Sequence, residues 1–282
     1  MNPNKQESKL ESIKFARAPS VLVALLAVTT GCGGGGGGSG GITAGGIDPP
    51  VELDDPDPGG IWGDGTIIFQ EGATDWEERE IGSVSTSAGE MRFVDELGAS
   101  YVAQVETSKF GSEGTTFQNF SGTVIEFAAP GVQFADGSTG VKGTITGTIW
   151  EEAIDALIDP DVGGFRNILA LYDDLYERDS NLGIVTGTWE DESGNTFSID
   201  QDGAIFGQDA LGCVYDGAVS IIETNFNVYR LTVTVSNCQD ANGTYNGLGV
   251  VDDLLAAGDS RQLIFNGNYA DIAALTMVLG KL

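Results

Sequence analysis

A chain of 282 residues with 13 Lys and Arg against 42 Asp and Glu carries a formal charge of −29 and no histidine. That acid excess repels phosphate backbones and anionic headgroups, so nucleic acid is excluded as a partner. The missing imidazole excludes His-based triads, His-ligated zinc and a histidine general base near neutral pH.

Residues 1–31 read as a signal peptide. Lys5, Lys9, Lys14 and Arg17 precede the apolar run Val21–Val28, which is too short to cross a bilayer as a helix, for which about 20 residues are needed. The run ends at Thr29-Thr30-Gly31-Cys32, which resembles the lipobox of bacterial lipoproteins, with Thr29 where that family usually has Leu. The resemblance implies cleavage before Cys32, lipid on Cys32, and the membrane as a partner through that lipid. Acyl chains in pairs make such an anchor durable. Gly33 after the cysteine, rather than Asp, resembles lipoproteins sent to the outer membrane, on a periplasmic or cell-surface face left open. On these residues the chain is similar to Gram-negative lipoproteins with glycine-rich β bodies.

Residues 32–59 read as a linker: a flexible coil at Gly33–Gly41, then a stiffer charged spacer from Asp48 to Pro58. No Gly-Lys-Ser/Thr follows the glycines, so no phosphate-binding loop is expected. From residue 60 the pattern turns to short alternating runs divided by turn residues, which predicts an all-β, mainly antiparallel body. A first β region spans 60–150, with strands at Thr66–Phe69, Glu90–Val94, Tyr101–Glu106, Phe117–Phe127 and Val141–Trp150. Residues 151–183 read as a connecting segment. There Ile168, Leu169, Tyr172, Leu175 and Tyr176 fall along one side of a helix expected at Phe165–Arg178, with its tyrosines as a docking face. A second β region spans 184–282 and ends in a strand at Leu275–Leu279. The two regions are expected to be small barrels or sandwiches joined by that short helix.

With Cys32 lipidated, Cys213 and Cys238 remain as a disulfide pair in an oxidising compartment. A hairpin folded between Asn225 and Phe226 sets Ile222 opposite Tyr229 and Cys213 opposite Cys238, within bonding range. Closing that loop is worth roughly 3 kcal/mol in the chain-entropy account.

Sites of chemistry are few. Asp173 and Asp174 are adjacent on the expected helix and point apart, so they read as surface acids. A two-carboxylate glycosidase needs a pair ~5 to 9.5 Å apart, which no spacing here selects. Asp55-x-Asp57-x-Gly59 starts like a calcium loop but has Thr66 at the twelfth position, and Asp200-Gln201-Asp202-Gly203 has Ile205 where Gly is required. Both read as turn chemistry, with no metal, no cofactor and no catalytic residue expected.

Gly60-Ile61-Trp62 and Gly187-Thr188-Trp189 resemble the Gly-x-Trp of the first lipocalin strand, whose barrels hold small apolar ligands. Thr146–Glu151 and Thr186–Glu190 also resemble each other, and all four tryptophans read as core or barrel plug. The expected function is a structural or interaction role at the cell envelope, with an envelope protein as partner. The alternative is a barrel holding a small apolar or glycan ligand among Trp62, Trp189, Tyr101 or Phe206.

Overall fold

The computed structural model describes residues 58–70, 76–109, 117–150, 152–238, 241–252 and 261–282, all within one compact unit. The signal segment, Cys32 and the linker through residue 57 lie outside the described residues. The rest is all-β: two closed barrels of eight strands, each strand antiparallel to the next and the last to the first.

The first barrel contains β1 (Gly60–Gln70), β2 (Trp76–Ser85), β3 (Glu90–Asp95), β4 (Ser100–Lys109), β5 (Phe117–Phe127), β6 (Gly140–Trp150), β7 (Ala153–Pro160) and β8 (Phe165–Tyr172). The second contains β9 (Gly187–Glu190), β10 (Thr196–Ile199), β11 (Ala204–Gln208), β12 (Val214–Ile221), β13 (Tyr229–Ser236), β14 (Gly243–Asp252), β15 (Gln262–Tyr269) and β16 (Ala273–Lys281). A 3-10 turn at Asp174–Glu177 and one helical turn, α1 (Leu182–Val185), connect them.

Alternation decides which residues fill the barrels. On β6, Val141, Ile145 and Ile149 are buried while Lys142, Thr144 and Thr146 face water. On β7, Ile154, Ala156 and Ile158 are buried between exposed Asp155, Leu157 and Asp159. Each buried aliphatic side chain is worth about 1.5–3 kcal/mol, so the inward set holds each barrel together. Glycines within strands leave room for inward rings. Phe120 lies against Gly147 on its partner strand, and Phe197 against Gly207, where an added methyl group would meet the ring.

The hairpins share a turn chemistry written in the sequence. At Asp95, Asp191, Asp200 and Asp209 the aspartate Oδ1 accepts hydrogen bonds from the amides two and four residues on. The glycine three residues on donates its amide to the aspartate carbonyl. Gly203 shows why glycine is needed: its φ is +85°, and a side chain there would run into the Val219 carbonyl. Thr86 serves the same role for Gly89 and Glu90. Such a three-residue connection with a left-handed glycine suits the twist of antiparallel strands.

The expected helix at Phe165–Arg178 is not formed. Phe165–Tyr172 is β8, with Arg166, Ile168 and Ala170 turned inward and Phe165, Leu169 and Leu171 exposed. Apolar residues on both faces of this strand imitate a helical stripe, and pairing with β1, about 100 residues earlier in the chain, decides otherwise. The first β region therefore runs to Tyr172 rather than Trp150, taking in β7 and β8 from the expected connecting segment. Strand β2, with its run of charged residues, was not expected either. Of the tryptophans, Trp62 and Trp189 are fully buried, as a core or plug reading requires, whereas Trp76 and Trp150 are exposed.

The two barrels pack through an apolar layer of Ile61, Val84, Leu175, Tyr176, Val228, Leu248 and Val250. Rings run through it in sequence: Trp62 meets Tyr172 edge-on, Tyr172 meets Tyr176, and Tyr176 stacks on Phe226 with centroids 4.5 Å apart. The expected docking face of tyrosines thus exists, on a strand end and a 3-10 turn. Beside this layer lies buried Arg92. It is paired with Glu90 at 2.8 Å and donates to the Asn246 carbonyl and Asn268 Oδ1, while Arg230 holds the other Glu90 oxygen at 2.6 Å. Ser100 and Asn266 join the barrels nearby at 2.8 Å.

Candidate functional site

Inside the first barrel, Phe69, Arg79, Asp95, Tyr101, Glu126 and Arg166 gather toward the end that carries the β3–β4 and β7–β8 turns. Strand phase puts them there: Arg79 shares the inward face of β2 with Ile81, and Arg166 that of β8 with Ile168. Both guanidinium groups lie over the Phe69 ring, at 4.1 and 4.8 Å from its centroid. Arg79 donates to Asp95 Oδ2 at 2.8 Å and to Glu77 at 2.7 Å, and Arg166 donates to Glu126 Oε1 at 3.3 Å and to the Gly164 carbonyl at 2.6 Å. Burial pushes the Glu126 carboxyl up, against the pull of Arg166, and pushes the Tyr101 phenol well up. Two oxygens of the cluster, Tyr101 Oη and Glu126 Oε2, are buried with no hydrogen-bond partner among the described residues. Tyr101 and Glu126 stand directly opposite each other on β4 and β5. Between them the two oxygens leave a phenol hydrogen to donate and a carboxyl oxygen to accept.

In the second barrel Trp189 of β9 is sealed from below by α1. Its Nε1 donates to the Val185 carbonyl at 2.7 Å. Lys281, on the last strand, holds its ammonium 5.3 Å from the Trp189 ring centre and donates to the Ile184 and Thr186 carbonyls. Burial lowers the Lys281 pKa, with Arg261 adding to the effect. The tryptophans of Gly60-Ile61-Trp62 and Gly187-Thr188-Trp189 thus both open a barrel from its first strand, while Thr146–Trp150 of the other likeness falls on β6 and has no such equivalence, Glu151 lying outside the described residues.

The barrels close differently. Strand β1 meets β8 along Trp62–Gln70, but β9 meets β16 at Glu190 with Gly280 and Trp189 with Lys281, followed by the Leu282 amide donating to the Thr188 carbonyl at 3.0 Å. Chain direction reverses at Asp191–Asn195, so β16 from Ala273 to Leu279 extends past the β9–β10 hairpin. That stretch pairs with β15 on one side, and among the described residues no backbone hydrogen bond reaches it on the other. Its inward residues Ala273, Leu275 and Met277 are half-buried against the core.

Cys213 and Cys238 are bonded, with Cα atoms 4.7 Å apart. The register differs from that expected by one residue: Ile221, not Ile222, faces Tyr229, and Val214 faces Ser236. Asn227, which donates to the Leu175 and Val251 carbonyls, ties the hairpin loop to the inter-barrel layer and sets its length. Asn237, at φ 58° and bonded to the Gly212 carbonyl, then turns the chain so that Cys238 reaches Cys213. Asp209 lies with the two sulfurs, but its carboxylate serves the Leu211 and Cys213 amides and the Tyr215 hydroxyl, and both sulfurs are engaged.

The residues expected to line one pocket do not converge. Trp62 and Tyr101 lie in the first core and Trp189 in the second, while Phe206 is 54% exposed on the outside. Asp173 caps the 3-10 turn through the Leu175 amide, with Asp174 beside it in the first turn. Asp200 serves its turn amides, Thr66 lies within β1, and Asp55 and Asp57 lie outside the described residues. The buried Asp95, Glu126 and Arg166 and the half-buried Arg79 went unread; the signal was an arginine in phase with an inward run, as in Arg166, Ile168 and Ala170. Comparison with family models, with curated proteins and with solved structures found no match.

Proposed function

We propose that this chain is an exported lipoprotein, tethered to the outer membrane through lipid on Cys32, whose double barrel works as a non-catalytic interaction body at the cell envelope. The observation that supports it is the division of apolar side chains. Aromatic and aliphatic groups of the chain cluster in both interiors, while Leu157, Phe165, Leu169 and Leu171 stand exposed together on β7 and β8. Leu169 and Leu171 share one face of one strand, and an apolar strip of this kind marks a surface for a partner. In the full chain expressed in a Gram-negative host, Cys32→Ala should move the protein from the membrane to the soluble fraction. A photo-crosslinking group at Leu169 should capture an envelope protein. Unchanged fractionation would end the anchor, and no crosslink would end the interaction role.

A second reading, a hydroxyl-bearing ligand such as a glycan inside the first barrel, is favoured by the two orphaned oxygens of Tyr101 and Glu126. Calorimetric titration with mono- and disaccharides that yields no heat removes it.

A further inference from the structure

The open side of β16 is a second place where this interaction body can take a partner, one that the β8 strip does not explain. We infer that β16 accepts, along Ala273–Leu279, an extended segment of another protein that alternates apolar and basic residues. The inference rests on the reading of the double barrel as an interaction body, though not on the lipid anchor.

Three observations carry it. First, among the described residues the edge is unpaired on one side over Ala273–Leu279, a span of roughly 20 Å, which suits one added strand of ordinary length. Second, Ala273 to Val278 are half-buried, so neither water nor protein covers them fully, and only Leu279 at the seam is buried. A strand laid there would set alternate side chains level with Leu275 and Met277, over an apolar mouth. Its other side chains would fall level with Ala274, Thr276 and Val278 on the outer face. Third, the hairpin where β9 leaves the edge carries Glu190, Asp191 and Glu192, and Glu192 is exposed. Asp271, at the β15–β16 turn, is already paired with Lys142 at 2.7 Å, so the negative field at this edge comes from the hairpin acids. In a chain of net charge −29 these acids favour a basic occupant. They also disfavour a second copy of this chain, which would bring like charges together.

The test uses the full chain and a synthetic peptide of alternating valine and lysine, about seven residues long. Hydrogen exchange should slow at the amides of Ala273–Leu279 when the peptide is added, and nowhere on β8. A valine–glutamate peptide should give no protection, and methylating the peptide's backbone nitrogens along one edge should abolish binding. The double variant Glu190→Gln/Glu192→Gln should bind the lysine peptide about tenfold more weakly at low salt, while folding as before. Equal binding of the acidic peptide, binding that survives methylation, or protection absent from β16 would each overturn the inference. Concentration-dependent protection of β16 without peptide, with a dimer in sedimentation, would overturn it in favour of self-pairing. A Leu169 crosslink that persists when β16 binds nothing leaves the interaction role standing and removes only this site.

Discussion

Glu126 shows what one side chain decides. Its carboxyl sits opposite Tyr101 in the first barrel, is held by Arg166 through one oxygen only, and has its pKa raised by burial. A raised folded-state pKa means that the unfolded chain loses this proton first, so the contribution to stability is present at low pH and lost as pH rises through the folded value. Glu126→Gln removes that titration while keeping an acceptor for Arg166. The difference in unfolding free energy between variant and parent should therefore move in the variant's favour from about pH 4 to pH 7. Urea titrations at several pH values would show it, and a difference flat with pH would refute the assignment. Tyr215, pushed up to about 12 by burial and by Asp209, titrates far above that window and does not confuse the result.

The strands at the two seams differ in how they hold. Between β1 and β8 the backbone ladder runs over most of both strands, whereas β9 and β16 meet through two residue pairs and the Leu282–Thr188 hydrogen bond, which side chains reinforce. Lys281 ties β16 to α1 through two carbonyls and lies over Trp189, which itself bonds to α1. Charge-assisted hydrogen bonds and a cation over indole are each worth about 0.5–3 kcal/mol. Lys281→Ala should accordingly cost about 1–3 kcal/mol and expose Trp189, seen as a red-shifted, more easily quenched fluorescence. Stability lost without any change at Trp189 would mean that the seam does not depend on this contact.

Across the whole molecule the two barrels are coupled by a buried layer rather than strung on a flexible connection. Leu175, Tyr176 and Phe226 fill it, and Arg92 reaches from β3 to the Asn246 carbonyl and Asn268. Burial lowers the Arg92 pKa, and among the described residues one of its nitrogens has no partner, so its hydrogen bonds to Asn246 and Asn268, with the Glu90–Arg230 pair beside them, serve to fix the two barrels in register more than to add net stability. Removing one member of such a buried pair costs about 3–5 kcal/mol. Arg92→Ala should therefore separate the barrels energetically, so that a single calorimetric transition of the parent becomes two. One unsplit transition in the variant would show that the apolar layer couples the barrels by itself.

Much of the β body was legible because its causes are local. Val141–Trp150 alternates with period two, and a turn at Asp200–Gly203 follows from an aspartate that caps amides beside a glycine free to adopt positive φ. The same spacing at Asp95, Asp191 and Asp209 could have been read in the same way. The cysteine pairing followed from arithmetic on three thiols, although its register was one residue out. Closure was not legible: that Phe165–Tyr172 is a strand depends on β1, far away in sequence, and a local window sees only apolar residues on two faces. The buried arginine cluster and the open side of β16 have the same origin. Both depend on how far each strand is staggered around its barrel, a quantity that no stretch of residues carries and that only the closed ring of hydrogen bonds determines.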